Sequence, residues 1–391
     1  MYKKKKLCVV TGTRAEYGLL KHLIGEISGD DEFDLTLLVT GSHLSVQHGL
    51  TFKEIEEDGF DISRKIDIGI DGDTAEDVAI STASAIKGFS EAYKELRPDL
   101  LVLLGDRYEL LGAAIPAMYF QIPIAHIHGG EVTIGAMDDG IRHSLTKLSH
   151  LHFVANEVYR NRVIQLGENP QYVFNVGGLG VDAIKRINLL SKCQLEHSLG
   201  FKFKEKNLLV TFHPVTLEKT DSSFQMVELL KALSRRSDTH IIFTMPNADP
   251  NNRILMDLVN DFASEHSNVS LFTSLGQLRY FSVVAQVDAV IGNSSSGLLE
   301  VPSFKKATVN IGDRQEGRLK ATSVIDCEPN CASISRAIDT VYMDSFQKVL
   351  SSTVNPYGTG GSVEIIMKVL KDMSLENLIK KKFYDLNGLL C

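Results

Sequence analysis

Short apolar runs alternate with longer amphipathic segments along nearly the whole chain, and this repetition restricts the fold more than any single motif. Residues 7–11, 35–40, 100–105, 122–128, 151–155 and 172–176 are short, apolar and rich in β-formers. They lack polar alternation, as expected of parallel strands buried on both faces of a sheet. Helical patterns fill 75–96, 110–120 and 139–149. A second series of strands covers 208–212, 241–245, 269–272, 289–291 and 308–311, with helical segments at 224–235 and 254–265. β-α repetition twice over predicts an α/β protein of two doubly wound, Rossmann-like domains. A chain of 391 residues suits two such domains.

The boundary is expected between Gly178 and Lys206, giving domains 1–180 and 181–362. The tail reads as helical at 363–373 and 375–383, and a return onto the first domain would make that domain discontinuous.

A net charge of −8 argues against nucleic acid as a partner, since a duplex-binding surface needs excess cations. The lysine run at 3–6 precedes only four apolar residues, too few for a signal-peptide core, so a solvated lead-in to the first strand is expected. No apolar stretch approaches the roughly 18 residues of a membrane span. Five scattered cysteines without a Cys-x-x-Cys pair fit reduced thiols, and a cytoplasmic location is expected.

Ligands of open parallel sheets sit beyond the carboxyl ends of the strands. After the first strand, Gly12 allows a tight turn and Arg14 offers a forked charge for phosphate. The segment is not the Gly-x-Gly-x-x-Gly fingerprint, which disfavours a nicotinamide cofactor. Asp106 and Arg107 follow the 100–105 run as either a structural pair or a catalytic acid beside a phosphate clamp. Strand alternation through 122–128 puts His126 and His128 on one face, and Gly129-Gly130 turns Glu131 inward. Asp138 and Asp139 fall where a helix N-cap belongs, with Arg142 and His143 one turn on. So many titratable groups suit proton transfer, and a third metal ligand at a suitable spacing is missing.

In the second half, His213 and Asn247 follow strands, and Gly292-Asn293-Ser294-Ser295-Ser296-Gly297 joins a strand to a helix. Backbone N–H groups and serine hydroxyls there can hold a diphosphate without lysine. Glu300, one and a half turns later, suits the hydroxyls of a ribose, and Arg314 adds a guanidinium.

Taken in order, residues 12–17, 105–107, 126–131, 138–144, 292–300 and 312–318 resemble the hydrolysing UDP-N-acetylglucosamine 2-epimerases of sialic acid biosynthesis. Ala15 stands where the non-hydrolysing enzymes carry proline. The resemblance implies a GT-B-like fold with UDP in an interdomain cleft, no metal and no cofactor. It implies conversion of UDP-N-acetylglucosamine and water to N-acetylmannosamine and UDP, through a 2-acetamidoglucal. By the same resemblance Asp106 and Asp138 are catalytic carboxylates, and Arg14, Arg107, His213, Asn247, Ser294, Ser295, Glu300 and Arg314 contact UDP. His128 stands where several members carry a catalytic Glu, so His128 or Glu131 takes that role. A related branch acts on UDP-N,N′-diacetylbacillosamine, the alternative substrate. A homodimer or homotetramer is the expected assembly. Two other readings stay open: a glycosyltransferase of the same architecture, and a nucleotide-sugar sensor without catalysis.

Overall fold

The computed structural model describes residues 4–70, 72, 74–134, 137–214, 222–245, 252–376 and 378–386. Contacts divide the chain into two units. The first comprises Met1–Glu131, Ala136–Ala183 and Gly360–Cys391, and the second Val132–Gly135 and Ile184–Thr359.

The first unit holds strands β1 (Lys5–Thr11), β2 (Phe33–Thr40), β3 (Arg64–Ile66), β4 (Leu100–Leu104), β5 (Ile124–Ile127), β6 (Leu151–Val154) and β7 (Val173–Asn175). All pair in parallel, in the order β3-β2-β1-β4-β5-β6-β7. Alternate residues of the central strand feed different cores. Leu7 and Val9 pack with the helices Arg14–Gly29 and Ser362–Asp372, whereas Cys8 and Val10 pack with Ala75–Leu96 and Tyr108–Tyr119. Both faces are therefore apolar, which is why the strands show no polar alternation.

The second unit repeats the plan with β8 (Lys206–Thr211), β9 (Thr239–Thr244), β10 (Val269–Phe272), β11 (Ala289–Gly292), β12 (Ala307–Ile311) and β13 (Val324–Cys327). Their order is β10-β9-β8-β11-β12-β13, again parallel. Strand order reverses between β1 and β4 and between β8 and β11. The turns after these four strands flank the crevices where such sheets bind ligands.

The tail returns to the first unit. Asp182 caps the helix Ser362–Asp372 by accepting from the N–H groups of Gly361 and Ser362. At the other end of that helix, Lys5 Nζ donates to the carbonyls of Leu370, Lys371 and Met373 at 2.9, 2.8 and 3.0 Å. Lys5 thus neutralises a helix C-terminus, and the expected solvated lysine run is corrected at this residue.

The helix expected at 375–383 does not form among the described residues. Lys381 reaches into the first unit to the carbonyls of Lys147 and Ser149 and to buried Glu168, and Tyr384 N–H bonds Gly167 O at 2.9 Å. An anchored, irregular backbone replaces the helix because these partners claim its polar groups. No described helix is long and apolar enough to cross a membrane.

Candidate active site

At the first switch point, Thr13 caps the helix Arg14–Gly29 by accepting from Glu16 N–H at 3.2 Å, and Glu16 Oε2 accepts from Gly12 N–H at 2.8 Å. Arg14 is exposed and pairs with Glu54 at 3.0 Å. Asp106 and Arg107 do not pair with each other. Arg107 Nε donates to buried Glu109 Oε1 at 2.7 Å, whereas Asp106 Oδ2 accepts from Arg142 Nη2.

Arg142 organises the end of β5. Its side chain is 2% exposed, and Nη1 also donates to Asp139 Oδ1 at 2.8 Å and to the Glu131 carbonyl at 3.0 Å. One buried guanidinium therefore fixes Asp106, Asp139 and the Gly-Gly-Glu turn. The sequence shows the Asp139–Arg142 spacing of one helical turn but not the distant partner Asp106.

The expectation of His126 and His128 on one face is overturned. Strand β5 ends at Ile127, and His128 has φ +66°, which breaks the alternation. His126 is fully buried, with Nε2 bonded to Gly105 O at 2.7 Å and Nδ1 facing Thr146 Oγ1 at 3.3 Å. A carbonyl only accepts, so the proton sits on Nε2, and burial pushes this imidazole down to about 4. It is a neutral post beneath the Asp106 turn.

His128 Nε2 accepts from Leu179 N–H at 3.3 Å, which leaves the ring proton on Nδ1, facing Glu131 Oε1 at 3.5 Å. Asp138 and Asp139 lie inside the first turn of the helix Met137–Leu148 rather than at its cap. Asp138 keeps an exposed edge, yet surrounding protein displaces its water and the Asp106 carboxylate repels it, and both raise its pKa.

In the second unit, Asn293 staples two strand ends. His213 N–H donates to Asn293 Oδ1 at 2.7 Å, and Asn293 Nδ2 donates to His213 O at 2.9 Å. The Asn293 carbonyl accepts from Arg314 Nη1 at 3.0 Å and from Gln315 Nε2 at 2.9 Å. Gly292 has φ +138°, and a Cβ there would fall 1.9 Å from Thr211 O. Gly292→Ala is therefore expected to cost about 3 kcal/mol or more in unfolding free energy, as chemical denaturation would measure.

Past Gly292, the amides of Ser294, Ser295 and Ser296 bond no acceptor among the described residues. Tyr280 Oη fixes Ser296 Oγ at 2.7 Å, and Glu300 ends the short helix Ser296–Leu299. Burial, and then Arg314, push the His213 imidazole down to about 4, so it is neutral near pH 7. Asn247 lies outside the described residues. Asn293 and Gln315, both buried, carry the assembly of this loop, which no spacing in the sequence reveals. Among the described residues, no group of three or more His, Cys, Asp or Glu side chains is arranged for a metal ion.

The family described as UDP-N-acetylglucosamine 2-epimerase matches residues 25–371. The chain is 41% identical to the GDP/UDP-N,N′-diacetylbacillosamine 2-epimerase (hydrolyzing) of Campylobacter jejuni, over 98% of this chain and 100% of that one. It is 39% identical to the polysialic acid biosynthesis protein P7 of Escherichia coli, over 98% of each. The crystal structure of UDP-GlcNAc 2-epimerase from Neisseria meningitidis bound to UDP-GlcNAc shares the GT-B-like fold, with a TM-score of 0.82 at 18% identity, covering 94% of this chain and 100% of that one. The chain belongs to the UDP-N-acetylglucosamine 2-epimerase family.

Proposed function

We propose that the protein is a hydrolysing 2-epimerase that converts a UDP-linked 2-acetamido sugar and water to UDP and the free sugar inverted at C2. The observation that carries this reading is the set of carboxylates at the ends of β4 and β5, with Asp138 raised in pKa beside Asp106. A sensor that only binds a nucleotide sugar has no use for such a set, and a glycosyltransferase needs no base for a carbon-bound proton.

Asp138 takes the C2 proton. The C–H electrons form the C1=C2 bond as the bond from C1 to the β-phosphate oxygen breaks, leaving 2-acetamidoglucal and UDP. Water then adds its hydroxyl to C1, and a proton reaches C2 from the opposite face. Glu131 is the second proton-transfer group. His128, with one nitrogen on Leu179 and the other toward Glu131, orients that carboxylate rather than acting as the base. Asp106, gripped by Arg142, supplies the fixed negative charge that keeps Asp138 basic.

The amides of Ser294, Ser295 and Ser296, the Ser295 hydroxyl and the Arg314 guanidinium take the diphosphate, as oriented donors do for a departing anion. Glu300 takes the ribose hydroxyls. Arg14, Arg107, His213 and Asn247 complete the UDP contacts by family resemblance. Ser295→Ala is expected to weaken UDP binding by about 1 kcal/mol, and Glu300→Gln to weaken it as well. Unchanged affinity of both variants in calorimetry would remove these contacts from the account.

The donor proposed is UDP-N-acetylglucosamine. A second reading, UDP-N,N′-diacetylbacillosamine, is favoured by the 41% identity to the Campylobacter jejuni enzyme. Parallel assays with both donors test the proposal. One of them should yield UDP and reducing sugar in equal amounts, and release of neither product from either donor contradicts it.

A further inference from the structure

Beneath the first switch point lie two carboxyl groups that the reaction above does not use. Glu16 and Glu109 sit in the first turns of the helices Arg14–Gly29 and Tyr108–Tyr119, and both are buried. Both close on Gly12. Glu16 Oε2 accepts its N–H, and Glu109 Oε1 fills the space where a Gly12 Cβ would fall, 2.7 Å away. Gly41, at φ +58°, closes the other side: a Cβ there would meet Gly12 O at 2.8 Å and Glu109 Oε1 at 3.3 Å. Glu16 Oε1 and Glu109 Oε2 are buried and accept no hydrogen bond.

Charge counting decides between one proton and none. Arg107 is the cation at the pair, bonded to Glu109. The neighbouring Asp106 adds a negative charge that Arg142 already engages, and Asp138 lies within electrostatic reach of Arg107 and Glu109. From the turn Gly41–Leu44, His43 bonds Thr11 Oγ1 and Thr51 Oγ1, and burial pushes it down to about 4, so it brings no positive charge near pH 7. Two ionised carboxylates, both buried, would thus share one half-exposed guanidinium, and each would hold a bare oxygen. A proton on one of them removes the repulsion and the charge that one bare oxygen would otherwise bury. Burial, and then Glu109, push Glu16 up to about 8, while Glu109 keeps its charge-assisted bond to Arg107.

We propose that Glu16 and Glu109 hold one proton between them and together position Arg107, Glu109 as its ionised counter-charge and Glu16 as the neutral acid that keeps the pair at a single negative charge. The positioning role rests on the reading that Arg107 contacts UDP. A diphosphate at Arg107 adds negative potential, so the pair holds its proton to higher pH when UDP is bound. UDP binding near pH 8 then takes up a proton.

Difference infrared spectroscopy of the free protein tests the shared proton without UDP. A protonated-carboxyl signal is expected at pH 6.5, lost as pH rises through about 8 and missing in Glu16→Gln. Glu16→Gln should fold, because a neutral amide replaces a neutral acid. The sign of the linkage follows. Stability conferred by holding this proton is fully present below the ordinary glutamate range and lost as pH rises through about 8, so the melting temperature of Glu16→Gln should gain on wild type over that interval.

Calorimetry at pH 8 in buffers of different ionisation enthalpy then tests positioning. Wild type should take up a fraction of a proton per UDP, and Glu16→Gln none. Glu109→Gln should bind UDP about tenfold more weakly, a loss of about 1.4 kcal/mol, with Glu16→Gln within about twofold of wild type. A missing infrared signal, a Glu16→Gln that fails to fold, or one as damaged in UDP binding as Glu109→Gln overturns the shared proton. The expected signal with unchanged UDP affinity in Glu109→Gln overturns the positioning role and the UDP contact of Arg107.

Discussion

Arg142→Met is expected to lower the unfolding free energy of the first unit by about 3–5 kcal/mol and to abolish turnover. The side chain is buried and its two terminal nitrogens reach Asp106, Asp139 and the Glu131 carbonyl. Methionine fills much of the volume but leaves two carboxylates without their cation, and breaking one partner of a buried ion pair costs more than the pair itself contributes. Arg142→Lys keeps the charge but not the planar fork, so it should recover part of the stability and little of the activity. Urea unfolding of the three proteins measures this directly, and wild-type stability in Arg142→Met would remove the guanidinium from its organising role.

Asp138→Asn should lose about 10²–10⁴-fold in turnover while UDP affinity changes little, because the loss falls on proton transfer and not on the diphosphate contacts. The pH profile carries a sharper test. The Asp138 carboxyl is raised above the ordinary range by displaced water and by the Asp106 carboxylate. A base must be ionised to act, so kcat/KM should fall as pH drops through this raised value. In Asp106→Asn the neighbouring charge is gone, and any residual activity should show this acid limb moved to lower pH. An acid limb that stays in place would mean that another group limits the rate.

Much of the fold was legible because its signal is repetitive. Buried strands such as Leu100–Leu104 and Ala289–Gly292 are apolar runs bounded by polar turns, and the helix Ala75–Leu96 begins at a capping box of Thr74 and Asp77. Of the four edge strands, Arg64–Ile66 and Val324–Cys327 were not legible, since charged residues interrupt them and a strand with one neighbour and an exposed side needs no apolar run. Site residues could be located from strand ends, whereas their partners could not. Asp106 lies beside Arg107 in sequence but is held by Arg142, 36 residues on, and Arg107 turns instead to Glu109. His128 failed the alternation rule because a left-handed residue ended the strand early. Pairing across a sheet is a property of the tertiary fold, and a linear pattern carries the face of a residue but not the atom it meets.

The central claim is that the C2 proton is removed and replaced while UDP departs for good. The direct measurement is proton NMR of the reaction in D₂O, with UDP-N-acetylglucosamine and UDP-N,N′-diacetylbacillosamine supplied in turn. The account predicts UDP and a free C2-inverted sugar carrying deuterium at C2 from one of the two donors. A UDP-linked epimer as the sole product, or a free inverted sugar that keeps its original hydrogen at C2, would contradict it.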